Sequence, residues 1–104
     1  MKSSREIRTV LTIINASVDL KRKVLPHVDL ARSEIHWDQI YGCDLTHGER
    51  AAITWAHALW EGSLWVTATE LGCADPFESA RHMDGKFRMA VVRALAIWLG
   101  EEHG

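Results

Sequence analysis

An all-α fold, one compact domain of about five helices over residues 1–104, is predicted by three observations. Helix-capping signatures recur along the chain, and apolar residues fall at spacings of three and four between them. The one strand-like stretch, LWVTATEL, has no hairpin partner nearby.

Ser3 and Glu6 form an S-x-x-E capping box, and Ile7, Val10, Leu11, Ile14 and Val18 repeat at helical spacing behind it, which predicts a first helix over 4–19. The β-branched run TVLTII within it suits a strand equally well. Lys21 to Lys23 reads as a basic break, and Pro26 stops any helix near Leu25. Residues 1–25 thus form a basic N-terminal helix or arm. Leu30, Ile35, Trp37, Ile40 and Tyr41 predict a second helix from Asp29 to Tyr41, ended by Gly42.

The clearest signals surround Thr46 to Gly62. Thr46 and Glu49 make a second capping box, and Gly62 sits where a left-handed C-terminal residue is expected. Between them the apolar side chains spread over roughly 220° of the helix, against about 100° for a helix lying on one core. Such a helix is either enclosed on two sides by its own chain or meets another molecule. Trp55 and Trp60 fall about 140° apart and cannot enter the same cleft. Arg50, Thr54, His57 and Glu61 form a narrow polar strip at i,i+4 spacings, expected to be a solvated ion-pair face.

Ser63 caps a short segment in which Leu64, Ala68 and Leu71 share a face, with a strand as the alternative. Asp75-Pro76-Phe77-Glu78 opens a further helix that runs to about Met83, where Asp84-Gly85 marks a break. Phe77, Ala80, Phe87, Val91, Ala94 and Trp98 keep a near-heptad phase across that break, so one bent helix over 76–99 is the alternative. The last helix, Phe87 to Leu99, has only Arg88 and Arg93 as polar members. A helix apolar nearly all round belongs inside something, and a second copy of the chain is the most economical cover. A homodimer through Phe87, Val91, Leu95 and Trp98 is therefore expected.

Composition narrows the function. Apolar content of 47% and charged content of 25% are those of a soluble globular protein, and no run approaches the ~18 apolar residues of a membrane span. With no signal-peptide pattern and only Cys43 and Cys73 as thiols, a cytoplasmic protein with free cysteines is expected. Charge is uneven: residues 1–32 hold seven basic against three acidic residues, and the rest five against eleven.

Four chemistries compete. Cys43 and His47 stand four apart, but Gly42 and the Thr46 cap interrupt the helix they would need, and no second ligand pair follows. His57 with Glu61 and Arg50 resembles an acid–base strip that lacks a nucleophile or a phosphate loop. Lys2, Arg5, Arg8, the Lys21–Lys23 cluster, Arg81 and Arg88 suggest phosphate contacts, yet the pI near 6.3 opposes a nucleic-acid reader. Protein recognition explains most. Five tryptophans are many for 104 residues, and interface centres are enriched in Trp and Tyr. Trp37, Tyr41, Trp60, Leu64 and Trp65 are the expected partner surface. No catalytic, cofactor or metal-binding residue is assigned.

The segment Asp44-Leu45-Thr46-His47-Gly48-Glu49-Arg50, continuing through Trp55-Ala-His-Ala-Leu-Trp60, resembles the small helical quorum-sensing antiactivators of bacteria in length and general character. Those proteins bind a LuxR-type transcription activator and keep it off DNA. The resemblance implies a non-enzymatic antiactivator that blocks dimerisation and DNA binding of such a partner, and it assigns no individual position. A phage-type inhibitor of a host complex, or a small metal- or DNA-binding helical protein, is the alternative.

Overall fold

The computed structural model describes residues 4–62 and 80–100. Five α-helices run through them: α1 (Ser4–Ile14), α2 (Val18–Val24), α3 (Trp37–Tyr41), α4 (His47–Glu61) and α5 (Gly85–Leu99). Single 3-10 turns span Leu25–His27 and Ala80–His82, and β1 (Val28–Asp29) pairs antiparallel with β2 (Glu34–Ile35). The fold is thus mostly helical, as expected, with a small hairpin that was not. Its radius of gyration of 12.4 Å matches the ~13 Å of a compact chain of this length.

The centre is α4. Both halves of its capping box form: the Thr46 hydroxyl accepts from the Glu49 amide at 3.1 Å, and the Glu49 carboxylate accepts from the Thr46 amide at 2.9 Å. Gly62 ends it in the left-handed conformation at φ 69°, donating its N–H to the Ala58 carbonyl. Of the two outcomes its width allowed, enclosure by its own chain is the one realised, since Ala51, Ala52, Ile53, Ala56, Ala58 and Leu59 are all buried. Helices α1 and α5 pack on each other and both pack on α4, while Leu20 and Val24 bring α2 into the same core. The basic N-terminal helix is therefore a core element and not an arm.

The first helix departs from expectation at Asn15-Ala16. Ser17 adopts extended backbone and its hydroxyl accepts from the Leu20 amide at 3.2 Å, so it caps a new helix that carries Lys21 to Lys23 instead of breaking there. The β-branched run is helical nonetheless, with Val10, Ile13 and Ile14 buried in the core, and the Thr9 and Thr12 hydroxyls return to the carbonyls of Arg5 and Arg8, at 2.8 and 2.7 Å. Buried Thr9 is thereby satisfied.

The expected helix over 29–41 shrinks to α3. Val28 pairs with Ile35 and Asp29 with Glu34, and the Asp29 carboxylate accepts from the Arg32 amide at 3.1 Å inside the connecting loop. That bond has the spacing of a helix cap, but Ser33 at φ 54° is left-handed and turns the chain back, so no helix continues from Asp29. The expectations for residues 63–79 lie outside the described residues. A single bent helix through 84 is excluded, because Asp84 is extended at ψ 161° and α5 starts afresh at Gly85.

Thr46→Ala should lower stability by about 1 kcal/mol through loss of the cap. Glu49→Ala should cost more, about 2 kcal/mol, because it also strands the Thr46 amide and Lys23. Urea unfolding midpoints check both.

Candidate functional site

Two places stand out: an aromatic cluster between α3 and α4, and the outward face of α5.

On α3, Trp37 and Tyr41 are four residues apart and share one face; on α4, His57 and Glu61 do the same. The helices meet so that Trp37 stacks on the His57 ring, with centroids 4.3 Å apart and planes at 21°. The Tyr41 hydroxyl lies 3.2 Å from His57 Nδ1, and Glu61 Oε1 lies 3.8 Å from Nε2, too far for a hydrogen bond. His57 is only 3% exposed. Burial lowers its pKa to about 4, so the ring is neutral at pH 7. An open cleft of ≈ 640 Å³ lies alongside, lined by Arg32, Glu34, His36, Trp37, Trp60 and Glu61 among others.

The expectation of a solvated ion-pair strip is therefore corrected. Thr54 and His57 are buried, the Thr54 hydroxyl bonds back to the Arg50 carbonyl at 2.8 Å, and only Arg50 and Glu61 are exposed. A helix with core on two sides leaves no solvated face at Thr54 and His57, in the middle of the strip. A neutral imidazole whose pKa is near 4 is also poorly matched to proton transfer at pH 7.

The tryptophans expected at a partner surface are corrected in the same way. Trp37 and Trp60 are buried in the core cluster, and Tyr41 is half-buried against it. Leu64 and Trp65 lie outside the described residues. Trp55 and Trp98 are half-buried and pack on the core.

The expected dimer seam changes as well. Phe87 and Val91 face inward, at 2% and 7% exposure, and belong to the subunit's own core. Leu95 is at the rim at 36%, and Trp98 is half-buried. The residues α5 turns outward are Met89, Val92 and Leu99, at 55%, 60% and 58%. Sequence reasoning missed them because it followed the Phe87-Val91-Trp98 line. The signal was a second stripe, Met89-Val92-Ala96-Leu99, at spacings of three, four and three on another side of the same helix.

Basic groups divide between structure and solvent. Arg22 pairs with Asp19 at 3.2 Å and Lys23 with Glu49 at 2.7 Å, which breaks up the Lys21–Lys23 cluster as a phosphate patch. The Arg5 guanidinium lies against the C-terminal end of α5 beside Gly100, where a cation complements the helix dipole. The Cys43 thiol points at the carbonyls of Lys23 and Gln39, at 3.6 and 3.5 Å. Among the described residues no three His, Cys, Asp or Glu side chains group as metal ligands, and no helix is long and apolar enough to cross a membrane.

The His57 geometry fixes a pH dependence. The unfolded imidazole takes its proton near 6.5 and the folded one near 4, so between those values the unfolded chain holds more protons and stability falls as pH falls. At about 1.4 kcal/mol per pH unit, the loss from pH 7 to pH 5 should be about 2 kcal/mol. His57→Phe, which keeps a ring beside Trp37, should flatten denaturation midpoints across that range; an unchanged slope would assign the effect elsewhere. Comparison of the chain with protein-family models, with curated proteins and with solved structures finds no match.

Proposed function

We propose that this chain is a non-enzymatic regulatory protein that acts by covering a surface of a partner protein. One observation supports the reading. Met89, Val92 and Leu99 form an aligned apolar row, each more than half exposed, on a subunit that buries Trp37 and Trp60. Large apolar side chains scattered singly are ordinary on a surface, whereas an aligned row marks an interaction site. In its finer form the proposal takes the partner to be a LuxR-type transcription activator in the cytoplasm, held off DNA, as the resemblance of residues 44–60 implies.

Adding the purified protein to a LuxR-type activator bound to its operator tests this. The operator complex should be lost at near-equimolar protein in a gel-shift assay. Val92→Glu, at an exposed position, should keep the wild-type melting temperature and weaken the effect at least about tenfold, or ~1.4 kcal/mol. An operator complex that persists in excess protein rejects the activator as partner. Undiminished inhibition by Val92→Glu rejects the α5 face.

A further inference from the structure

We infer that the outward face of α5 is a docking site for an amphipathic helix of a partner whose apolar stripe is flanked by acidic side chains, and that it is not a self-association seam. The inference rests on the protein-binding reading above and names the partner's chemistry.

Gly85, Met89, Val92, Ala96 and Leu99 follow one another at spacings of four, three, four and three, the pattern of a two-helix seam. Gly85 and Ala96 are small, so a partner backbone can approach closely between the larger side chains. Flanking positions are occupied by Lys86 and Arg93 on one side and by Arg88 and Leu95 on the other. Residues 85–99 contain three basic side chains and no acidic one. Lys86, Arg88 and Arg93 are exposed, and none has an ion-pair partner among the described residues; Lys86 Nζ only overlies the Phe87 ring at 5.3 Å.

Those flanks decide between occupants. In a parallel self-pair, the position before one seam residue meets the position five further along the partner, which sets Arg88 against Arg93 of the other copy. In an antiparallel self-pair, Lys86 and Arg93 face each other's counterparts. Both arrangements oppose like charges across a desolvated seam, which suppresses association. A helix with Glu or Asp at its flanking positions pairs all three cations instead. The groove beside the row, ≈ 500 Å³, has Thr12, Asn15 and Ala16 on its opposite bank, so among the described residues lining it no acidic side chain opposes a carboxylate reaching Lys86 or Arg93.

The test uses two synthetic helical peptides with leucine at the seam positions, one with glutamate and one with lysine at the flanks. Fluorescence anisotropy should show the glutamate peptide binding the full-length protein, with affinity falling at least about tenfold at high salt or in Val92→Glu. Arg88→Glu combined with Arg93→Glu should reverse the preference to the lysine peptide, a result that unfolding cannot mimic. Equal binding of both peptides, no binding of the glutamate peptide at about 1 mM, or a wild-type dimer that Val92→Glu dissociates would each overturn the inference. If the glutamate peptide fails while inhibition of the activator still depends on Val92, the acidic-helix assignment falls alone. Charge-selective peptide binding without any effect on the activator refutes the activator and leaves the site.

Discussion

The buried carboxylate of Glu49 holds the molecule together at the point where its central helix begins. Burying a carboxylate is costly unless its charge is matched and its lone pairs are filled. Burial pushes the Glu49 pKa up, but hydrogen bonds from Lys23 and from the Thr46 amide outweigh it and hold the group below its ordinary value. One oxygen therefore does two jobs: it closes the capping box of α4 and takes the Lys23 ammonium at 2.7 Å, from 26 residues earlier in the chain. The Cys43 thiol meets the Lys23 carbonyl at the same junction, so the loop leading into α4 is tied to the end of α2 as well. With that corner fixed, Leu20 and Val24 enter the core, and α4 can be apolar on most of its circumference because α1, α5 and the Ala80–His82 turn cover it.

What could be read in advance follows the range over which each signal acts. Thr46-x-x-Glu49 and Gly62 mark α4 because capping chemistry is satisfied within a few residues, and Ile7, Val10 and Leu11 mark α1 because its stripe is continuous. The hairpin at 28–35 was hidden, since Leu30, Ile35 and Trp37 can be fitted to a helix as easily as Val28 and Ile35 to a strand pair. What separates them is the left-handed backbone of Ser33 at φ 54°, which apolar spacing does not announce. His57 was misplaced for another reason: polarity at i,i+4 says where side chains align, but only tertiary packing says whether that line is wet. The stacking of Trp37 on His57 joins residues twenty apart and leaves no trace in local spacing.

The tryptophans carried the opposite lesson. Their number was the reason to expect a sticky surface, yet Trp37 and Trp60 are spent on the interior, where each can bury on the order of 150–250 Å². A small chain with a limited core gains most by placing its largest apolar side chains inside first. The surplus then appears elsewhere, as the aliphatic side chains of α5 that the core has no room to take. The two broad helices differ in outcome: α4 is enclosed by its own chain, whereas α5 leaves Met89, Val92 and Leu99 exposed, aliphatic side chains and not indoles.

That displacement changes what the surface can recognise. An exposed indole is a large anchor that tolerates many pockets, whereas a narrow aliphatic seam between cations is selective by geometry and by sign of charge. The seam wants a helix, because only helical spacing meets residues three and four apart. The flanks want acids, because Lys86, Arg88 and Arg93 would otherwise be desolvated without partners. On the proposed reading, the same charges would oppose the pairing of two α5 helices. On that reading, one set of three basic side chains both selects an acidic partner and opposes a second copy of the same helix.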